Sequence, residues 1–264
     1  MAITIAMANQ KGGVGKTTTT LELAYILNSL GKRVLVIDMD QQCNTTKNAD
    51  ADRSRPTIFD LFNDDDVDMS AAIQKVKNGY SIIAGSPEMS KADKMFDDPS
   101  SAYLLKDLVD ALAEDFDYFL IDTAPARNIP LNMCYIAADY FIICLDFSED
   151  SLDGIDAMVN DLMKFHKSGK RSLSDAKILG AVIIRYRDIN IGNAIKDLTL
   201  EKIETIIPDI IKTKETPFLL TVRLAAAVDE AKISHLPIQV YKHSATAAID
   251  YRYIADEILR RVEK

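Results

Sequence analysis

Residues 8–18 read Ala-Asn-Gln-Lys-Gly-Gly-Val-Gly-Lys-Thr-Thr, a spacing of glycines, lysines and hydroxyls suited to gripping a polyphosphate. A chain of phosphates is a concentrated anion and needs many short donors converging on it at once. Gly12, Gly13 and Gly15, with Val14 between them, leave the approach open and can take the positive φ that turns successive N–H groups toward one point. Lys16 is placed to reach the β and γ phosphates as a point charge. The Thr17 hydroxyl is placed to ligate Mg²⁺, and Thr18 is expected nearer the α phosphate. The usual phosphate-loop pattern asks for Gly, four free positions, then Gly-Lys-Ser/Thr. Gln10 takes the first of these places, and a second lysine, Lys11, precedes the glycines, so the loop is a variant form. The plainer account, a tight turn beside a solvated lysine, fails on context. An apolar run Ile3–Ala8 leads into the loop, and Leu21, Ala24, Tyr25, Leu27 and Leu30 recur after it at helical spacing.

Strand, glycine loop and helix must then belong to a larger α/β framework. Continuous apolar strands are expected at 33–38, 80–84, 118–122, 140–145 and 178–184, with a short one at Ile210-Ile211-Lys212. Helical periodicity marks 101–115, about 151–166, 194–206 and about 245–261, and a short helical turn is expected at 57–62. Strands alternating with helices require right-handed crossovers. The predicted fold is therefore a doubly wound α/β, mostly parallel sheet with helices on both faces and ligands at the strands' C-terminal ends, where Asp38, Asp40 and Asp122 fall. No internal repeat or long linker divides the chain, so residues 1–264 read as a single domain.

The run Lys11-Gly-Gly-Val-Gly-Lys16-Thr17-Thr18 resembles the deviant Walker A box of the ParA/MinD family of ATPases. Val34-Leu-Val-Ile-Asp38-Met-Asp40-Gln41-Gln42 is similar to the family's second-strand Asp-x-Asp-Pro-Gln box, and Tyr118-Phe-Leu-Ile-Asp122-Thr-Ala-Pro125 to its Walker B strand and switch loop. Weaker similarity continues from Ala137 to Ile143 and from Val222 to Ile238. Gln41 and Ala124 stand where prolines are usual or frequent, and the stretch Val222–Pro237 is a few residues longer than in short chromosomal members.

The resemblance implies a P-loop ATPase using ATP and Mg²⁺. Thr17 with Asp38 and Asp122 would hold the metal, Asp122 through a water, and Asp40 would orient the attacking water. Lys11 would cross to a partner subunit's nucleotide and stabilise transition-state charge in trans, in an ATP-dependent homodimer. No Asn-Lys-x-Asp guanine signature occurs, which with the family favours adenine. Arg185 is a candidate near the base, and the loop Thr216-Pro217-Phe218 a candidate cover for the ring.

Two members of the class differ in what they bind. A ParA-type partition ATPase, slow and stimulated by a centromere-binding partner protein, binds DNA non-specifically as its ATP dimer; a MinD-like ATPase cycles on membranes. Net charge is −9, yet residues 1–160 carry 13 Lys and Arg against 26 Asp and Glu, while 161–264 carry 18 against 14, so the C-terminal part is basic and DNA stays admissible. Arg185, Arg187, Arg223, Lys232, Lys242 and Arg252 are candidate phosphate contacts. A membrane partner is not expected: the tail stripe Ile249, Tyr253, Ile254, Ile258, Leu259 and Val262 reads as a packing face, without a Phe/Trp/Leu-rich extension. No leader or membrane span is read, and Cys43, Cys134 and Cys144 form no C-x-x-C pair, so a cytoplasmic protein, nucleoid-associated when ATP-bound, is expected. The iron–sulfur reductases sharing this loop would need two cysteines facing a dimer axis; Cys134 and Cys144 fit better as buried small hydrophobes.

Overall fold

The computed structural model describes residues 2–146, 148–166 and 172–263. Its first strand, β1 (Ile3–Ala8), runs straight into the glycine loop, and α1 (Lys16–Ser29) starts at the loop's second lysine. The other strands are β2 (Val34–Asp38), β3 (Ile73–Lys75), β4 (Ser81–Ile83), β5 (Tyr118–Asp122), β6 (Tyr140–Leu145), β7 (Lys177–Tyr186) and β8 (Phe218–Arg223). They form one eight-stranded sheet in the order β3-β4-β2-β5-β1-β6-β7-β8. Every pairing is parallel except that of the three-residue edge strand β3 with β4.

The helices are α2 (Asn44–Asn48), α3 (Ile58–Asn63), α4 (Met69–Ala72), α5 (Ala92–Met95), α6 (Leu104–Ala111), α7 (Ile129–Ala137), α8 (Glu149–His166), α9 (Asn190–Ile206), α10 (Ala226–Ile233), α11 (Ile238–Tyr241) and α12 (Thr246–Val262). They cover both faces of the sheet, because the side chains of each strand alternate between them. Ile5 and Met7 join Leu23 and Leu27 of α1 and Ile254 and Ile258 of α12 on one face. Ala6 and Ala8 join Leu105 of α6, Leu131 of α7 and Leu152 and Ile155 of α8 on the other. Each such Leu or Ile contributes about 1.5–3 kcal/mol when fully buried, so the central strands are held by the core on both faces.

The anchoring matters because β1, β2 and β5 end together. Met7 of β1 and Asp38 of β2 both lie in register with Asp122 of β5. The parallel sheet thereby delivers the phosphate loop and two carboxylates to one edge.

Two expectations are corrected. Asp209–Ile211 is a 3₁₀ turn, and of the expected strand at 210–212 only Lys212 makes a lone bridge, to Ile178. The last strand is instead Phe218–Arg223, beside β7. Its β-forming run Phe218-Leu-Leu-Thr-Val222 follows directly on Pro217, whose missing N–H costs no ladder bond at a position just before a strand.

Candidate functional site

Gly15 fixes the shape of the loop. Its φ is +84°, and a Cβ there would stand 2.9 Å from Ile184 Cγ1 of β7, so the loop can seat against the sheet only with glycine at this place. Lys16 is buried within the loop's curve, its Nζ donating to Asn9 O at 3.1 Å and Lys11 O at 3.2 Å. Burial lowers its pKa, opposed first by the charge of Asp122. Lys11 reaches from the outer rim: its Nζ pairs with Asp146 at 3.3 Å and donates to Ser148 Oγ. Gly12 and Gly13 are exposed, Val14 is buried, and Thr17 and Thr18 occupy the first turn of α1.

Asp38 and Asp122 are buried side by side. Thr17 Oγ1 donates to Asp122 Oδ2 at 2.6 Å and Thr45 Oγ1 donates to the same oxygen at 2.5 Å. Asp38 Oδ2 accepts from the backbone N–H and the hydroxyl of Thr46, at 2.8 and 2.7 Å. Burial, and then the charge of Asp122, push the Asp38 carboxyl up to about 7; burial likewise raises Asp122. Two carboxylates placed this closely in the interior repel one another until a cation or a proton intervenes. Asp122 Oδ1 is buried with no hydrogen-bond partner among the described residues. Two carboxylates and a hydroxyl are no all-protein cage, but Mg²⁺ held mostly by waters and phosphate oxygens needs no more. The donor set fits Mg²⁺.

Asp40 follows at the mouth, its Oδ1 accepting the Gln42 N–H at 3.0 Å. Arg185 ends β7 with φ +61°, where the pairing with β8 shifts register. Together with Gly15, Thr18, Val222–Ala225 and Asp229 it lines a cleft beside the phosphate loop.

Pro217 is placed wrongly by the sequence reading. It precedes β8, and because β8 runs parallel to β1 it lies at the sheet edge opposite the loop, where Arg261 Nη1 donates to Thr216 O at 2.7 Å. It therefore cannot cover a ring held at the loop. The segment on the loop's side of the sheet is the end of β8 and the two residues after it, Arg223 to Ala225.

The phosphate loop, the paired carboxylates and the fold converge on one class, and a family model described as "AAA domain" matches residues 2–175. The chain belongs to the AAA domain family. It is 26% identical to the chromosome partitioning protein ParA of Caulobacter vibrioides over 97% of this chain and 94% of that one. Its fold is similar to that of apo McdA from Cyanothece (TM-score 0.83, 22% identity, 98% of this chain and 100% of that one). It is similar also to the septum site-determining protein MinD of Pyrococcus horikoshii in complex with Mg-ADP (TM-score 0.76, 21% identity, 98% and 96%).

Within this AAA-domain chain the six basic candidates are unequal. Arg223 forks onto Asp250, with Nε to Oδ2 at 2.9 Å and Nη2 to Oδ1 at 2.7 Å, and Arg252 donates to Gln239 Oε1 at 2.6 Å. Both are spent largely inside the chain. Arg185, Arg187, Lys232 and Lys242 are exposed. Cys134 and Cys144 are fully buried and belong to opposite faces of the sheet, which rules out their sharing a cluster. No described helix is long and apolar enough to cross a membrane. Sequence reasoning missed Thr45 and Thr46, the hydroxyls that hold the two carboxylates. Their signal was a Thr pair a few residues past the Asp38–Asp40 box.

Proposed function

We propose that residues 1–264 act as one ATPase domain, hydrolysing Mg²⁺-ATP slowly as a ParA-type switch. The observation that carries this reading is the convergence of Lys16, Thr17, Asp38 and Asp122 on one sheet edge, with Asp122 Oδ1 buried and unpartnered beside the loop. Thr17, Asp38 and Asp122 would hold Mg²⁺ there, whose charge would offset that of the phosphates. Loop N–H groups and Lys16 bind the β and γ phosphates. Asp40 orients the attacking water at the mouth, and Lys11 supplies its charge to the nucleotide of a second copy, making dimerisation ATP-dependent. Arg185 and the segment after β8 border the adenine. In the ATP dimer the chain binds DNA without sequence preference and associates with the nucleoid, a centromere-binding partner stimulates hydrolysis, and the monomer is released. The relation to ParA of Caulobacter, over nearly the full length of both chains, supports this assignment.

ATP-dependent retention on random-sequence DNA, with Lys16→Ala as control, tests the reading; binding should fall steeply with salt. No retention at low salt removes the DNA-binding switch. The fold likeness to MinD favours a second reading, membrane cycling. Ile254 and Ile258 of the tail stripe are buried in the core, while Tyr253 is exposed, which supports the first reading over the second. Co-sedimentation with anionic liposomes and ATP would reverse that order.

A further inference from the structure

Asp161 lies on α8, has no role above, and is almost wholly buried, with its side chain 10% exposed. One oxygen, Oδ2, accepts from both Gln10 Nε2 at 2.9 Å and Arg127 Nε at 2.8 Å, while Oδ1 accepts from Lys164 Nζ at 2.7 Å. Gln10 belongs to the phosphate loop, and Arg127 to the loop that leads from Asp122 into α7. Asn128, next to Arg127, caps α7 by accepting the Leu131 N–H at 3.0 Å, so Arg127 is tied to a defined helix start.

The helix carrying Asp161 is also pressed directly on the phosphate loop. A Cβ built on Gly154 would lie 2.3 Å from Asn9 Oδ1, and Asn9 in turn accepts the Lys11 N–H at 2.8 Å and donates to Cys144 O at 2.7 Å. Helix and loop therefore share two fixed points one turn and a half to two turns apart, Gly154 and Asp161.

We propose that Asp161 is a positioning residue that couples the phosphate loop to the loop after Asp122. Because Gln10 and Arg127 draw on the same carboxylate oxygen, a shift of either donor changes the geometry left to the other. An ionised carboxylate holds its donors about twice as strongly as a neutral acceptor, which lets one side chain bind two loops. A nucleotide that shifts Gln10 is thereby felt at Arg127, and a change at Arg127 is felt in nucleotide affinity through the same carboxylate. A plain structural contact would stabilise the fold without this reciprocity.

This inference rests on the phosphate-loop reading above, and the test separates the two. The full-length protein is titrated with a slowly hydrolysed ATP analogue and Mg²⁺, in the parental chain and in Arg127→Ala, Asp161→Ala and the double variant; kcat and KM for ATP are measured alongside. In the parental background Arg127→Ala should weaken analogue binding about fivefold; in the Asp161→Ala background it should change binding less than about twofold, a coupling in the range seen for contacting residues. Asp161→Asn, which keeps one acceptor, should fall between the two and restore part of the KM. If Asp161→Ala does not fold, the same cycle is run on Asp161→Asn. Equal effects of Arg127→Ala in both backgrounds overturn the coupling while leaving the site intact. A parental chain that binds no analogue overturns the phosphate-loop reading, and this proposal with it.

Discussion

Where β1, β2 and β5 end, a lysine amine and three carboxylates are buried together, each placed by a rigid parallel strand or by the loop directly after one. Farther along the same edge, past β7, the chain presents exposed cations and apolar side chains: Arg185, Arg187 and Lys232 with Leu224, Ile233 and Leu236. The first region invests in charge held against its preference for water, which is useful only to a group that neutralises it. The second keeps its charges solvated. Buried and solvated charge thus occupy different limbs of one sheet.

The contrast can be broken most sharply at Lys16. Lys16→Ala should lower affinity for Mg²⁺-ATP at least about a hundredfold, since hydrogen bonds and charge pairing to a polyphosphate are lost together in a buried site; calorimetry reads it directly, and unchanged affinity would place the nucleotide elsewhere. Asp40→Ala should leave binding and dimerisation in place and slow single-turnover hydrolysis about a hundredfold, the usual worth of one proton-handling or water-orienting group. Hydrolysis at the parental rate would remove Asp40 from the chemistry.

A milder break lies at Glu22 of α1, on the side facing the second limb. Its Oε1 accepts the Ile238 N–H at 2.7 Å, its Oε2 has no partner among the described residues, and burial pushes the carboxyl up to about 7. A carboxyl whose folded pKa exceeds its unfolded one binds more protons when folded. Its stabilising contribution is therefore present below about pH 4.5 and is lost as pH rises toward 7 and beyond, a swing of about 1–3 kcal/mol. Glu22→Gln keeps the acceptor and should flatten the fall of melting temperature across that window; an unchanged slope would assign the pH dependence to other groups. The smallest effect is expected at Arg223. Its half-exposed guanidinium is screened, so Arg223→Ala should cost about 1 kcal/mol of stability through the Asp250 carboxylate it leaves behind, read by denaturant unfolding. Should Arg223→Ala instead abolish DNA retention at unchanged stability, the fork with Asp250 opens on binding and the residue belongs to the recognition surface.

The first limb was legible in the sequence because its strands are short apolar runs ending in Asp, and its glycines answer to a single need. Asp38, Asp122, Lys16 and Thr17 come to one edge as their spacing implied. The second limb was less so. Pro217 reads equally as a loop residue and as the residue before a strand, and only the direction of β8 shows that it faces the wrong edge. Thr45 and Asp161 act through tertiary contacts with partners more than 75 and 30 residues away, respectively, and Thr46 through Asp38 across a turn of irregular backbone; no local periodicity marks such side chains. Ile210–Lys212 was apolar enough for a strand, but the sheet already had its neighbour for β7 in Phe218–Arg223, whose pairing spans the length of that strand.

Gly154 has a mechanical corollary. With only a hydrogen between α8 and Asn9, any side chain at position 154 would push the helix off the phosphate loop. From Gly154 to His166 at the far end is about 18 Å at 1.5 Å per residue, so a single helix joins the contact at the phosphate loop to a surface well away from it.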